Sequence, residues 1–116
     1  MTMNESPAKL TFCSGVGTVT GANFLLEVGG KRFLIDCGMI QGEEFADKAN
    51  REPFLYDPAS IDALLVTHAH LDHVGRIPKL IKEGFKGVIY STPQTRALAE
   101  LILNDAASIL ASDAAK

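Results

Sequence analysis

Residues 67–75 read THAHLDHVG, and all three histidines of the chain fall within the six positions from 68 to 73. The preceding residues 61–67 (IDALLVT) are nearly continuously apolar, as expected of an inner strand covered on both faces. His68 and His70 are two positions apart. On an extended continuation of that strand both imidazoles project to one side, whereas on a helix they would diverge by about 200°. Asp72 and His73 follow where the chain turns toward a helix, a change of direction that aims a carboxylate and a third imidazole at the same neighbourhood. Imidazole nitrogen and carboxylate oxygen suit zinc or another borderline first-row cation, and the lack of a nearby cysteine favours an open catalytic site over a closed structural one. Two plainer readings remain open: polar strand-end residues with no ligand role, and a single structural zinc held by the three histidines and Asp72.

Downstream, residues 76–83 carry Ile77, Leu80 and Ile81 at helical spacing, with Pro78 in the first turn and Gly84 as the stop. Residues 87–91 (GVIYS) read as another buried strand. Thr92 and Pro93 then offer a cap and a first-turn proline to a helix with Leu98, Leu101, Ile102, Ile109 and Leu110 on one face. Upstream, residues 24–28 and 31–36 flank Gly29-Gly30, which predicts a hairpin with a primed turn. Residues 9–14 (KLTFCS) form a short β-leaning run ahead of a glycine-rich stretch, where Gly17 and Gly21 read as turn formers. Residues 38–60, with Pro53 and Pro58, are either a functional loop or partly helical. The alternation of strand and helix predicts an α/β fold: a mixed sheet with flanking helices and a right-handed crossover.

A chain of 116 residues has room for one hydrophobic core, and 47% apolar with 22% charged residues excludes disorder and low complexity. Eleven basic against fourteen acidic residues leave a net charge of −3, which excludes a surface that holds nucleic acid through phosphate neutralisation alone. Cys13 and Cys37 are too few for a disulfide scaffold and read as small buried hydrophobes. Residues 1–10 lack an apolar targeting segment, and residues 98–110 are interrupted by Glu100, Asn104 and Asp105, so the expectation is a soluble, cytoplasmic protein without membrane contact.

Residues 67–75 resemble the H-x-H-x-D-H signature of the metallo-β-lactamase superfamily. Residues 15–42 (GVGTVTGANFLLEVGGKRFLIDCGMIQG) resemble the start of its β-CASP branch, the RNA-processing nucleases related to the cleavage and polyadenylation endonuclease. The likeness continues through IDALLVT and RIPKLIKEGFKGVIYSTPQTRALAELIL, so it covers nearly the whole chain. The fold it implies is the N-terminal half of an α/β/β/α sandwich. Residues 1–116 are then a partial domain, with the C-terminal half and the β-CASP cap absent.

The resemblance makes His68 and His70 ligands of a first zinc ion, and Asp72 and His73 ligands of a second. Asp72 is also the catalytic residue, orienting a metal-bound hydroxide that attacks an RNA phosphodiester. The metals supply the positive charge that the surface lacks. Asp36 matches the family's first motif, whose carboxylate supports the metal-binding loop from behind. Its plainer reading is a strand-end aspartate capping the Asp-Cys-Gly turn. Lys79, Lys82 and Lys86 read as a solvated helix side. The family's later ligand motifs have no counterpart after His73, and Asp105 and Asp113 do not match them, so the isolated chain is expected to be inactive. The alternatives are a glyoxalase II-like thioester hydrolase of the same superfamily and a non-catalytic truncated module. Loss of the second sheet would bare one sheet face, with Leu26, Leu34 and Leu65 as candidate contributors, and a homodimer through that face is the corresponding expectation.

Overall fold

The computed structural model describes residues 7–14, 21–40 and 46–114. Its centre is a five-stranded sheet of β1 (Lys9–Ser14), β2 (Asn23–Val28), β3 (Lys31–Ile35), β4 (Ala63–Leu65) and β5 (Val88–Tyr90), side by side in that order. The first three strands are antiparallel, and β3, β4 and β5 run parallel, which makes the predicted mixed sheet. Gly29 (φ 58°) and Gly30 (φ 78°) close the β2–β3 hairpin in the left-handed conformation that a primed two-residue turn requires. The inner strand is where the sequence places it, between two parallel neighbours. Its ladder continues past the three regular residues, because Asp62 N donates to Arg32 O at 2.8 Å and Val66 N to Tyr90 O at 2.9 Å.

The register sorts the sheet's side chains into two faces. Leu25, Leu34 and Leu64 lie abreast on β2, β3 and β4 and are almost fully buried. They form the core with Ile61, Val74, Ile77, Leu80 and Phe85 from the crossover, and each such burial contributes about 1.5–3 kcal/mol. The crossover runs through the one-turn helix α2 (Leu71–Val74, following α1 at Ala46–Arg51) and α3 (Ile77–Lys82), with Pro78 in its first turn and Gly84 (φ 119°) just past its end. Cys37 is buried as expected, and Cys13 packs against the core. Segment 38–60 turns out partly helical, containing α1 and a 3-10 turn at Pro58–Ser60 capped by Asp57, whose carboxylate accepts from Ala59 N at 3.0 Å.

On the other face, Phe12, Phe24, Ile35, Leu65 and Tyr90 lie abreast, beside Leu10, Leu26, Phe33 and Val88. Leu10, Phe12, Val88 and Tyr90 are exposed and the others half-buried. Leu26 and Leu65 belong to this bare face, but Leu34 does not: strand alternation turns it to the helical side, where it is fully buried.

Three further expectations are corrected. Strand β5 is not buried, since Val88, Ile89 and Tyr90 are all exposed at the sheet edge with a neighbour on one side only. Ile81 is exposed, because Ile77 and Leu80 alone fill the contact of α3 with the sheet. The long helix α4 (Pro93–Ala114) starts as predicted, with Thr95 N donating to Thr92 Oγ1 at 3.2 Å, yet Leu98 and Leu101 are exposed. Ala99 and Leu103 face the core instead, across a 470 Å³ cleft that also touches Val66, Ile77 and Ile89. The side chains of Ile109 and Leu110, and Gly17, lie outside the described residues, whereas Gly21, at φ 80°, has the left-handed conformation expected of a turn former. Among the described residues no helix is long and apolar enough to cross a membrane.

Candidate metal centre

The histidine cluster begins where β4 ends. His68 is exposed, Ala69 buried and His70 exposed, which is the alternation of an extended chain with both imidazoles on the outer side. His70, at φ −72° and ψ 155°, is the last extended residue and caps α2. A four-residue helix cannot satisfy its own carbonyls, and here the neighbouring loops do so. Met39 N donates to Leu71 O at 2.8 Å, Ala22 N to Asp72 O at 3.0 Å and Cys37 N to His73 O at 2.9 Å. Arg76 N closes the clamp by donating to Cys37 O at 2.9 Å. The approach is so close that a Cβ on Gly38 would collide with the Asp72 carbonyl, which is the physical reason for glycine in the Asp-Cys-Gly turn.

Asp36 stands beneath the cluster, 2% exposed and in the left-handed conformation at φ 60°. One carboxylate oxygen, Oδ1, accepts from Thr67 N at 2.7 Å. The other, Oδ2, accepts from Thr67 Oγ1 at 2.6 Å and from His73 Nδ1 at 2.8 Å. A carboxylate only accepts, so in the neutral ring the His73 proton is on Nδ1 and Nε2 keeps its lone pair. Thr67 has spent its single hydroxyl proton on Asp36, and toward His68 Nδ1, 3.0 Å away, it can only accept. His68 therefore also carries its proton on Nδ1. One buried carboxylate fixes two imidazoles as Nε2 bases, one directly and one through a threonine.

The His68 and His73 rings are adjacent, with centroids 4.5 Å apart and planes 35° from parallel, and Asp72 Oδ2 lies 3.6 Å from His73 Nε2. His70 is exposed and makes no side-chain hydrogen bond or ion pair with a described residue. Among the described residues no three His, Cys, Asp or Glu side chains are disposed to hold one ion. The donor set itself, three imidazoles and a carboxylate with Nε2 free on two of the rings, fits a borderline dication. Cys37 is not a candidate ligand. Burial pushes its thiol up to about 12, so it stays protonated.

Two features of this site escaped sequence reasoning. Thr67 was legible only as the end of a strand, although its place directly before His68 is the available signal. Arg76 is buried and ties the turn together, donating from Nε to Gly38 O and from a terminal nitrogen to Ser14 Oγ at 3.0 Å. Lys82 and Lys86 are exposed as expected, but Lys79 is half-buried: it donates to Glu52 O, pairs with Glu83 at 3.2 Å and packs against Phe54.

A mixed sheet whose inner strand runs directly into this cluster defines the class, and the chain belongs to the metallo-beta-lactamase superfamily, whose family profile matches residues 16–113. Its relatives are RNA-processing nucleases and factors of the β-CASP branch. The chain is 53% identical over 92 residues to Ribonuclease TTHA0252 of Thermus thermophilus, covering 79% of this chain and 21% of that protein. It is 38% identical over 120 residues to transcription termination factor FttA of Methanosarcina mazei, covering 99% and 18% respectively. Against Integrator complex subunit 11 of Danio rerio the identity is 33% over 99 residues, covering 78% and 16%. The chain thus spans about a fifth of the length of these curated relatives. Among solved structures, the rubredoxin oxygen:oxidoreductase of Desulfovibrio gigas superposes on 82% of this chain and 21% of its own, with a TM-score of 0.50 and 27% identity. The chemotaxis sensor ODP superposes on 78% of this chain and 36% of its own, with a TM-score of 0.51 and 20% identity, a likeness of fold.

Proposed function

We propose that the chain is the N-terminal part of a zinc-dependent hydrolase that cleaves RNA phosphodiester bonds. The observation that carries this reading is the Asp36–Thr67 device, which leaves Nε2 of His68 and of His73 free, the latter 3.6 Å from Asp72, in a chain whose relatives include a ribonuclease. His68 and His70 would hold one zinc ion, and Asp72 and His73 a second. Bound zinc supplies a nucleophile at neutral pH and positive charge opposite a phosphate. Asp72 orients the attacking water and handles its proton, and Asp36 keeps His73 and His68 in the ligating tautomer. A cytoplasmic location belongs to the same reading.

The test is hydrolysis of labelled RNA by the 116-residue chain and by a version extended through further ligand motifs. The extended chain is expected to cleave in a metal-dependent manner that Asp72→Ala abolishes, and the short chain to show no cleavage above background. Cleavage by the short chain, lost on Asp72→Ala, would show that these four donors suffice alone. Turnover of a glutathione thioester in place of RNA would favour the glyoxalase II-like reading. The absence of a three-donor cluster among the described residues favours a non-catalytic module for the chain alone, and an inactive extended chain would establish that.

The bare sheet face carries a prediction of its own. Contiguous apolar patches beyond a few hundred Å² are rare on monomers. We expect the chain to self-associate at tens of micromolar and to bind a hydrophobic dye, through the face that includes Phe12, Phe24, Leu26 and Tyr90. A single monomeric boundary in sedimentation, without dye binding, is the result that rules out the homodimer.

A further inference from the structure

Asp36 can serve two imidazoles only because its backbone is held in the left-handed region, which L side chains rarely adopt. Its N–H is fixed by donation to Leu65 O at 2.9 Å, on the inner strand. Its carbonyl is fixed by a side chain: Asn23 Nδ2 donates to Asp36 O at 2.9 Å. Asn23 is 1% exposed, and its orientation is not free. The Asp36 carbonyl only accepts, so the amide nitrogen must face it and the amide oxygen must face the other way. There it accepts from Tyr56 OH at 2.9 Å. Tyr56 is buried too, so its phenol is pushed up and stays a donor. Its ring stacks on Phe54, with centroids 5.3 Å apart and planes 19° from parallel, and the Lys79 ammonium lies 4.0 Å from the Phe54 ring centre. Neither Asn23 nor Tyr56 touches the histidines. Every polar atom of this relay is used, and the relay ends on the one carbonyl whose rotation would swing the Asp36 carboxylate away from Thr67 and His73.

We infer that Asn23 and Tyr56 are positioning residues of the candidate metal centre, holding Asp36 left-handed so that its carboxylate sets the tautomers of His73 and His68. The inference rests on the metal-site reading for its consequence, but not for its geometry, which is measurable without metal. Without the Asn23 amide, the Asp36–Cys37 peptide is held only by Cys37 N donating to His73 O, and it can tilt toward ordinary strand geometry. The His73 Nδ1 proton then loses its acceptor and the ring exchanges between tautomers.

The experiment uses the 116-residue chain labelled with ¹⁵N-histidine, comparing Asn23→Ala, Tyr56→Phe, the double variant and a control, Asn50→Ala. The control removes a comparable clip, in which Asn50 holds both Ile40 N and Ile40 O at 2.7 and 2.8 Å, outside the relay. The expected result in metal-free wild type is a His73 ring protonated on Nδ1 alone. Asn23→Ala should bring loss of that single tautomer and a fall in zinc affinity of about tenfold or more, the size seen when partners of ligands are removed. Tyr56→Phe should show a smaller fall, and the double variant no more than Asn23→Ala, because the two residues act in series. Asn50→Ala should leave tautomer and affinity unchanged. A folded Asn23→Ala chain with wild-type His73 signals and unchanged zinc affinity would overturn the inference, as would an equal effect of Asn50→Ala. If Asn23→Ala does not fold, Tyr56→Phe decides alone, and an unchanged spectrum and affinity there overturn it. If the wild type takes up no zinc, the metal reading fails, while the His73 tautomer in Asn23→Ala still decides the positioning role.

Discussion

Purified and titrated with zinc, the chain is expected to take up the metal, and replacement of His68 and His70 together by Ala to abolish that uptake. The effect should be the largest of any substitution pair. These two residues carry two of the chain's three imidazoles, placed outward on either side of buried Ala69 by the extended end of the inner strand. On the proposed assignment, binding requires the adjacent His68 and His73 rings, 4.5 Å apart, to turn their Nε2 atoms to separate ions, His68 to the one shared with His70 and His73 to the one shared with Asp72. Such turning is a side-chain motion, because the backbone of Leu71, Asp72 and His73 is pinned by the loop hydrogen bonds from residues 22, 37 and 39. Elemental analysis of the dialysed protein reads the result. Undiminished stoichiometric zinc in the double variant would sink the assignment.

The second large effect is expected from Asp36→Asn. Asparagine tolerates the left-handed backbone, so the change tests the carboxylate and not the turn. The native group accepts three hydrogen bonds, from Thr67 N, Thr67 Oγ1 and His73 Nδ1. An amide in its place offers one acceptor oxygen, and its NH₂ meets either Thr67 N or the His73 Nδ1 proton donor to donor. Leaving one such buried group unsatisfied costs about 1–3 kcal/mol of stability. The escape open to His73 is to move its proton to Nε2, which withdraws the lone pair a metal needs. Zinc affinity should therefore fall about 10- to 100-fold beyond what the lost stability explains. Denaturant midpoints and chelator competition on the same samples separate the two effects. An Asn variant with wild-type midpoint and wild-type affinity would show that the carboxylate does not set the His73 tautomer.

Much of the architecture was legible because it is written in short-range terms. Gly29-Gly30 between two β-leaning runs specified the hairpin through turn chemistry, and the apolar run of residues 61–67 specified an inner strand through composition. The THAHLDHVG stretch announced the donors because they share one segment, and strand spacing fixed that His68 and His70 lie on one side. Where the reading went astray, the cause was coverage. GVIYS has the composition of a buried strand, but β5 has a neighbour on one side only. Leu98 and Leu101 have helical spacing, but Ala99 and Leu103 face the sheet. An apolar pattern states which residues can be buried, and only the neighbours decide which are.

By itself, then, the sequence determined most of the element types, the hairpin register and the superfamily, and it named the candidate donors. The tertiary structure decided what those donors are chemically. The ring proton of His73 is placed by Asp36, which lies 37 positions earlier in the chain. That of His68 is placed by a threonine whose hydroxyl the same carboxylate has already engaged. Asp36 in turn depends on an amide and a phenol, Asn23 and Tyr56, that are 33 residues apart. None of these contacts follows a periodicity of 2 or 3.6, so no local pattern encodes them. They exist because the sheet and its crossover bring distant polar groups together, and the buried ones among them, Asn23, Asp36 and Tyr56, must each find a partner there.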